Sequence, residues 1–281
     1  MFLFIILNNL NLQKRKGVKM LFKREFKRNY KSFLISGFVC VVLAMYMISM
    51  SQSFGVDIQK IIDVKLPKEV QVALGLSGLD YSNPVSFFAL SFSYIYLFIS
   101  IYIAGIFAVI VSKEFSDKTA EYLFSLPAKR IKFIKTKLAV VFTYSFLIVL
   151  LVFFSTWISL IINIKSGYDL KPLMLLSVAW LTGGITFGSI TFFISSFFTK
   201  TRTISSVSVG VVLGMYLLQI AISVNENLKF LKYISPFDWF KGSEIVNSGE
   251  ISLSYLIIAV CIIVSSLYFG IKRFNKMDVL V

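Results

Sequence analysis

A charged segment interrupts two long apolar runs of the chain at residues 113–130, with the sequence KEFSDKTAEYLFSLPAKR. On a helix that turns 100° per residue, its three carboxylates, Glu114, Asp117 and Glu121, share one face. The apolar side chains of the segment lie on another face: Phe115, Tyr122, Leu123 and Leu126. Pro127 then ends the helix. Carboxylates on one face and apolar groups on another can dock in the groove of a second protein, whereas a plain cytoplasmic loop explains only the basic residues that follow.

The sequence offers few means for catalysis. It contains no His, which excludes an H-E-x-x-H zinc site and a Ser-His-Asp triad. No Gly is followed by Lys, so the chain lacks a phosphate-binding loop of the G-x-x-x-x-G-K-[ST] type. We therefore expect no catalytic, metal-binding or cofactor-binding residues. If ATP is used, another chain supplies the site, and transport or a structural role is favoured over an enzymatic one.

The composition is that of a polytopic membrane protein. Of 281 residues, 57% are hydrophobic and 15% are charged, and the mean hydropathy is +0.81; soluble domains have about 25% charged residues. Because lipid leaves unpaired backbone groups without partners, we expect an all-α fold. Residues 33–271 form the predicted six-helix transmembrane domain. Its spans are placed at about 33–52, 86–112, 134–162, 172–198, 203–223 and 252–271, each long enough to cross a bilayer. Their interiors are expected to lack buried ion pairs, which argues against an ion-coupled transporter.

The distribution of charge predicts the orientation. Four segments on one side of the predicted spans hold 21 of the 29 Lys and Arg residues and five of the 14 acidic residues. They are 1–32, 113–137, 199–202 and 272–281. The positive-inside rule then places both termini and the charged segment in the cytosol. The net charge of +15 is explained by the membrane surface, and no nucleic-acid partner is expected.

The cytoplasmic N-terminal segment, residues 1–32, contains a basic amphipathic stretch at 21–31. It predicts an interfacial helix, with phenylalanines toward lipid and Lys and Arg toward phosphates. Translation could start at Met1 or at Met20. A cytoplasmic tail, residues 272–281, follows the last span. Lys137, at the start of the third span, is expected to reach lipid headgroups together with its basic neighbours.

Two small-residue motifs and one aromatic stretch complete the pattern. Gly184-x-x-x-Gly188 and Gly210-x-x-x-Gly214 allow close helix packing, either within one subunit or between two subunits. The stretch YISPFDWF at 233–240 precedes the last span, and its aromatic residues are typical of the membrane interface.

The charged segment resembles the corresponding part of ABC-2 type permeases, the membrane subunits of bacterial ABC exporters. The resemblance rests on Glu114, Thr119-Ala120-Glu121, Leu123, Ser125-Leu126-Pro127, Arg130 and Lys137. The basic stretch 21–29, the six spans and Ser235-Pro236-Phe237 fit as well, so that the likeness covers residues 20–281.

The resemblance implies a coupling helix between spans 2 and 3 that docks in a cleft of a separate ABC ATPase. The residues it assigns to this coupling are Glu114, Phe115, Asp117, Thr119, Glu121, Tyr122, Leu123, Leu126, Pro127 and Arg130. It further implies two permease subunits in a bacterial plasma membrane, with ATP and Mg²⁺ bound on the ATPases, and export of a substrate that no residue here specifies. Whether the two subunits are identical stays open. The alternative is a membrane protein without an ATPase, such as an immunity or stress-resistance protein.

Overall fold

The protein was analysed as a computed structural model that describes residues 20–49, 71, 84–116, 130–164 and 170–276; the side chains of 84–91, 115, 116, 164 and 226 are not described. Six long helices have the length and hydropathy needed to cross a membrane. They are α1 (Met20–Ser49), α2 (Pro84–Ser116), α3 (Arg130–Ile164), α4 (Leu170–Ser195), α5 (Thr201–Val224) and α8 (Leu253–Lys276). The described part of the chain has no strand, which confirms the predicted all-α polytopic membrane fold.

The first helix is longer than any single element predicted for that region. The sequence predicts an interfacial helix at 21–31 followed by a span at 33–52, but α1 continues without a break from Met20 to Ser49. No Pro lies between these limits and the only Gly is Gly37, so nothing in the backbone forces a stop near Ser32. The N-terminal part of α1 also packs on α3, where the hydroxyl of Tyr144 donates to the carbonyl of Phe26 and the two rings stack with centroids 4.6 Å apart. This part of α1 therefore contacts protein and not only the membrane surface that the sequence predicted.

Helices α2 and α4 form the centre of the bundle. Glycines on α4 allow the close approach: a Cβ on Gly184 would lie 2.6 Å from Ile103, and one on Gly188 would lie 2.7 Å from Phe107. Thr191 donates to the carbonyl of Ala104 across the same contact at 2.9 Å. The first small-residue motif therefore packs helices within one subunit.

The second motif has a different environment. A Cβ added to Gly210 or Gly214 on α5 would meet no atom of the described residues within 4 Å. Large apolar side chains near this motif are exposed, including Leu213 (40%) and Leu217 (63%). As far as the described ranges reach, this face of α5 is therefore open to lipid or to another protein.

Between α5 and α8 the chain forms a 3₁₀ helix (Glu226–Tyr233), α6 (Pro236–Trp239) and α7 (Gly242–Ser248). The aromatic residues here do not form an interfacial belt, as the sequence suggested, because Phe237, Trp239 and Phe240 are at most 3% exposed. Phe237 packs against the ring of Tyr96 at 4.7 Å between centroids, and the Tyr96 hydroxyl donates to the carbonyl of Pro236 at 3.3 Å. Within 233–240 the aromatic residue at the edge, Tyr233, is largely exposed. The short helices thus insert into the bundle.

Asp238, on α6, is buried with these aromatic residues. Its Oδ1 lies 2.7 Å from Nζ of Lys241, and among the described residues its Oδ2 has no hydrogen-bond partner. Burial raises the pKa of the Asp238 carboxyl above its ordinary value of 3.8, and Lys241 opposes that rise.

Candidate functional site

Three charged side chains are buried where the ends of α1, α2 and α3 meet. Glu25 on α1 is 0% exposed, Glu114 near the end of α2 is 2% exposed, and Lys137 in the second turn of α3 is 0% exposed. Glu114 and Lys137 occupy the buried stripes of their helices: Ile110 and Val111 precede Glu114 by one turn, and Phe133 and Val141 flank Lys137 at intervals of four. Helix phase therefore brings these two together, and Glu25 joins them from a half-buried face of α1.

Lys137 is the centre of this buried charge cluster. Its Nζ donates to Oε1 of Glu114 at 2.8 Å and to the carbonyl of Ile110 at 2.6 Å. It also lies 3.7 Å from Oε2 of Glu25 and 5.0 Å from the centroid of the Phe133 ring. A buried ammonium group requires such a set of partners, because an unpaired charge in this environment is strongly destabilising.

Two arginines of α1 close the cluster on its solvent side. Arg28 Nη1 donates to Oε1 of Glu114 at 3.0 Å, and Arg24 Nη2 donates to Oε1 of Glu25 at 3.0 Å. Their side chains are 29% and 50% exposed, so each joins a buried carboxylate to water. Three cations against two carboxylates leave the buried charge cluster, Arg24, Glu25, Arg28, Glu114 and Lys137, with a formal charge of +1.

The buried charge cluster lies at the two helix ends that flank the predicted coupling segment. Glu114 lies within the last turn of α2, which ends at Ser116. Lys137 lies in the second turn of α3, which begins at Arg130. The cluster therefore fixes both helix ends from which the segment 117–129 departs, and it joins them to α1.

A cavity of about 300 Å³ lies beside the cluster, between α1, α2 and the first turns of α5. Its lining includes Arg28 and Lys113 at one end and Tyr102, Gly105 and Ser205 further in. Tyr102 is buried, and within the described residues its hydroxyl has no hydrogen-bond partner. The cavity thus offers a polar or anionic group the Lys113 cation, the Arg28 guanidinium that is shared with Glu114, and a Tyr102 hydroxyl without a partner among the described residues.

The family model for ABC-2 family transporter proteins matches residues 20–279 of the chain. The chain belongs to the ABC-2 transporter family. A search of curated proteins finds no match. The family assigns this ABC-2 protein to membrane transport, as a permease rather than a catalytic chain. The match covers all six membrane-spanning helices and all the residues of the buried charge cluster.

The structure of this ABC-2 protein describes part of the predicted coupling residues. Glu114 is in the buried charge cluster, with its carboxylate toward Arg28 and Lys137. Phe115 lies in α2 with an undescribed side chain, and Arg130 begins α3. The other predicted residues lie outside the described part of the chain: Asp117, Thr119, Glu121, Tyr122, Leu123, Leu126 and Pro127. Contact of any of these with an ATPase stays a prediction.

Two expectations about charge in this ABC-2 chain are wrong. The membrane-spanning runs were expected to lack buried ion pairs, and Lys137 was expected to reach lipid headgroups. Lys137 is instead 0% exposed and pairs with Glu114. The sequence signal that was missed is the position of each lysine around the helix. Lys137 lies on the buried stripe of α3, whereas its neighbours Lys132 and Lys135 are exposed.

Glu25 was missed for a similar reason. It lies beside Phe22 and Phe26 on the face of α1 that was assigned to lipid, among basic residues that suggested a headgroup-binding surface. An acid on that face would be costly in lipid, which is a signal that the face is covered by protein.

Proposed function

We propose that this chain is the permease subunit of an ATP-driven exporter and that it is moved by a separate ABC ATPase through the segment 113–130. The observation that carries the proposal is the buried charge cluster. It joins the ends of α2 and α3, on either side of the residues 117–129, by buried ion pairs. A push on that segment would therefore be transmitted to α1, α2 and α3 together.

The chain itself supplies no ATP site, because its sequence has no Gly-Lys pair from which a phosphate-binding loop could be built. ATP and Mg²⁺ would bind on the partner. Within the segment, the role of Glu114 differs from that of Glu121. Glu114 is engaged inside the chain and would position the segment, whereas Glu121 and Leu123 would touch the ATPase.

A second permease subunit would pack on the open glycine face of α5. Gly210 and Gly214 leave room for a helix backbone, and no neighbour within the described chain fills it. Ser205, on the same helix, lines the cavity between α1, α2 and α5. The transport pathway would then form where the two subunits meet.

We place the chain in a bacterial plasma membrane, and the charge asymmetry supports an orientation with both termini in the cytosol. Among the described residues, the basic clusters at 23–31, 130–137 and 272–276 lie at the end of the bundle where α1 and α3 begin and α2, α4 and α8 end. The buried charge cluster lies at the same end, which faces an ATPase in the cytosol.

The experiment first searches the genes beside this one for an ABC ATPase. The chain is then co-expressed with that ATPase, purified by affinity and assayed for ATPase activity in vesicles. The double variant Glu121→Lys with Leu123→Asp should insert in the membrane but lose the ATPase and coupled transport. The matched control, Glu250→Lys with Leu253→Asp, makes the same changes at exposed positions of the opposite end. It should behave like the wild type. An unchanged yield and activity of the ATPase with the first variant would overturn the proposal.

A further inference from the structure

A second basic site lies at the ends of α4 and α8, apart from the buried charge cluster. The two helices enclose a groove of about 590 Å³. Its walls are aromatic, from Phe193, Phe197 and Phe269, and its rim carries Lys272, Arg273 and Lys276. The groove is therefore apolar inside and cationic at its mouth.

Arg273 is held in place by the groove itself. Its guanidinium carbon lies 3.9 Å from the centroid of the Phe197 ring, and its Nε donates to the carbonyl of Ser196 at 3.2 Å. Stacking on a ring fixes the plane of the guanidinium while its terminal N–H groups remain able to bind an oxyanion in a bidentate manner. Binding would thus cost little side-chain entropy.

The three cations of the rim are not neutralised within the described chain. None of Lys272, Arg273 and Lys276 forms an ion pair with an acidic residue in the ranges that the structure describes. Lys272 instead lies 5.9 Å from the ring centroid of Tyr268. The rim therefore presents positive charge to an anion from outside.

Below the rim, the same side of the molecule is apolar and exposed. Val264 is 61% exposed, Tyr268 59% and Phe269 52%. Cations at the end of a membrane-spanning helix with exposed apolar side chains beneath them match the two parts of a phospholipid, an anionic headgroup and its acyl chains. An acidic protein surface would use the cations but leave the apolar side chains uncovered.

We propose that this groove binds an anionic phospholipid, with the phosphate on Arg273 and its flanking lysines and the acyl chains along α8. The bound lipid would bridge α4 and α8. This bridge matters because α8 packs mainly on α4 and is otherwise largely exposed.

The test is native mass spectrometry of the full chain in mixed micelles of dioleoyl phosphatidylglycerol or dioleoyl phosphatidylcholine. We expect the wild type to retain phosphatidylglycerol preferentially. Replacing Lys272, Arg273 and Lys276 by Gln should weaken its binding about tenfold or more. The matched control replaces Lys31, Lys132 and Lys135 by Gln, which removes the same charge from exposed positions at the same end. These lysines attract headgroups only as surface charges outside the groove, so the control should lose less affinity for phosphatidylglycerol than the rim variant.

The double variant Lys272→Gln with Lys276→Gln leaves the contacts of Arg273 with Ser196 and Phe197 intact. It keeps the test valid if the triple variant does not fold, and it should still bind phosphatidylglycerol less well.

Equal retention of both lipids by the wild type would overturn the proposal, and so would equal weakening in the variants and the control. Displacement of the lipid by inorganic phosphate alone would show a simple anion site. Loss of a co-expressed ATPase with unchanged lipid binding would identify a protein-docking site instead. The measurement needs no ATPase, so its failure leaves the proposed permease function untouched.

Discussion

Removing Lys137 tests whether the buried charge cluster holds the helix ends together. In Lys137→Met the apolar chain length is kept, but Glu114 loses a 2.8 Å partner and Glu25 a 3.7 Å partner. Arg28 and Arg24 remain, and they are partly exposed. Breaking a buried pair by removing one partner costs about 3–5 kcal/mol. Because the arginines compensate in part, we expect about 3 kcal/mol of lost unfolding free energy.

The double variant Glu114→Gln with Lys137→Met makes the test quantitative. It removes the pair together, so its cost should fall short of the sum of the two single variants by about 2 kcal/mol. The assay is unfolding by increasing SDS mole fraction in mixed micelles, followed by tryptophan fluorescence. Lys135→Met, two positions away and exposed, is the control and should change stability by less than about 0.5 kcal/mol. Additive costs in the double variant, or equal effects of Lys135→Met and Lys137→Met, would refute the reasoning.

Two further predictions concern the small residues and the buried acid. Gly188→Val should unfold the bundle, since its Cβ would lie 2.7 Å from Phe107. Gly210→Val should leave the fold intact and shift the proposed dimer to a monomer in light scattering. The raised pKa of Asp238 means that the folded state favours the protonated carboxyl. Stability from this group is therefore greatest below pH 3.8 and is lost as the pH rises through the folded-state pKa, so that mild acidification should raise the melting temperature. Asp238→Asn should remove that dependence and raise stability at neutral pH.

Each of these predictions has a contrary result. Equal loss of fold in both glycine variants would mean that α5 packs within the subunit. A dimer that survives Gly210→Val would place the subunit contact elsewhere. An unchanged pH dependence in Asp238→Asn would assign the effect to another group.

Hydropathy was sufficient to predict the six membrane-spanning helices, because each apolar run is long and separated from the next by polar residues. It could not distinguish the two glycine motifs, since spacing alone does not tell which face of a helix is covered. A Cβ on Gly188 would meet Phe107 of α2, whereas one on Gly210 would meet no atom within 4 Å in the part of the chain that the structure describes. That difference depends on how α2 is placed, which is a long-range feature.

The candidate site was predicted in part. The sequence pattern singled out Glu114 because it lies between two apolar runs. Its partners, Arg28 of α1 and Lys137 of α3, are distant in the sequence, so the pattern could not predict the ion pairs. A rule that lysines at helix ends reach headgroups failed for Lys137, because the rule ignores phase around the helix. Burial of Phe237 and Asp238 was missed because aromatic residues before a span are as compatible with an inserted segment as with an interface.

The most direct measurement of the central claim is photo-crosslinking from the segment 113–130 in cells that co-express the proposed partner, an ABC ATPase sought among the genes beside this one. A benzophenone amino acid at Leu123 should capture the ATPase. The same probe at Leu253, which is 70% exposed at the opposite end of the bundle, should not. If the chain is an ATPase-driven permease, we expect an ATPase adduct at Leu123 and none at Leu253. No ATPase adduct at Leu123, or equal adducts at both positions, would contradict it.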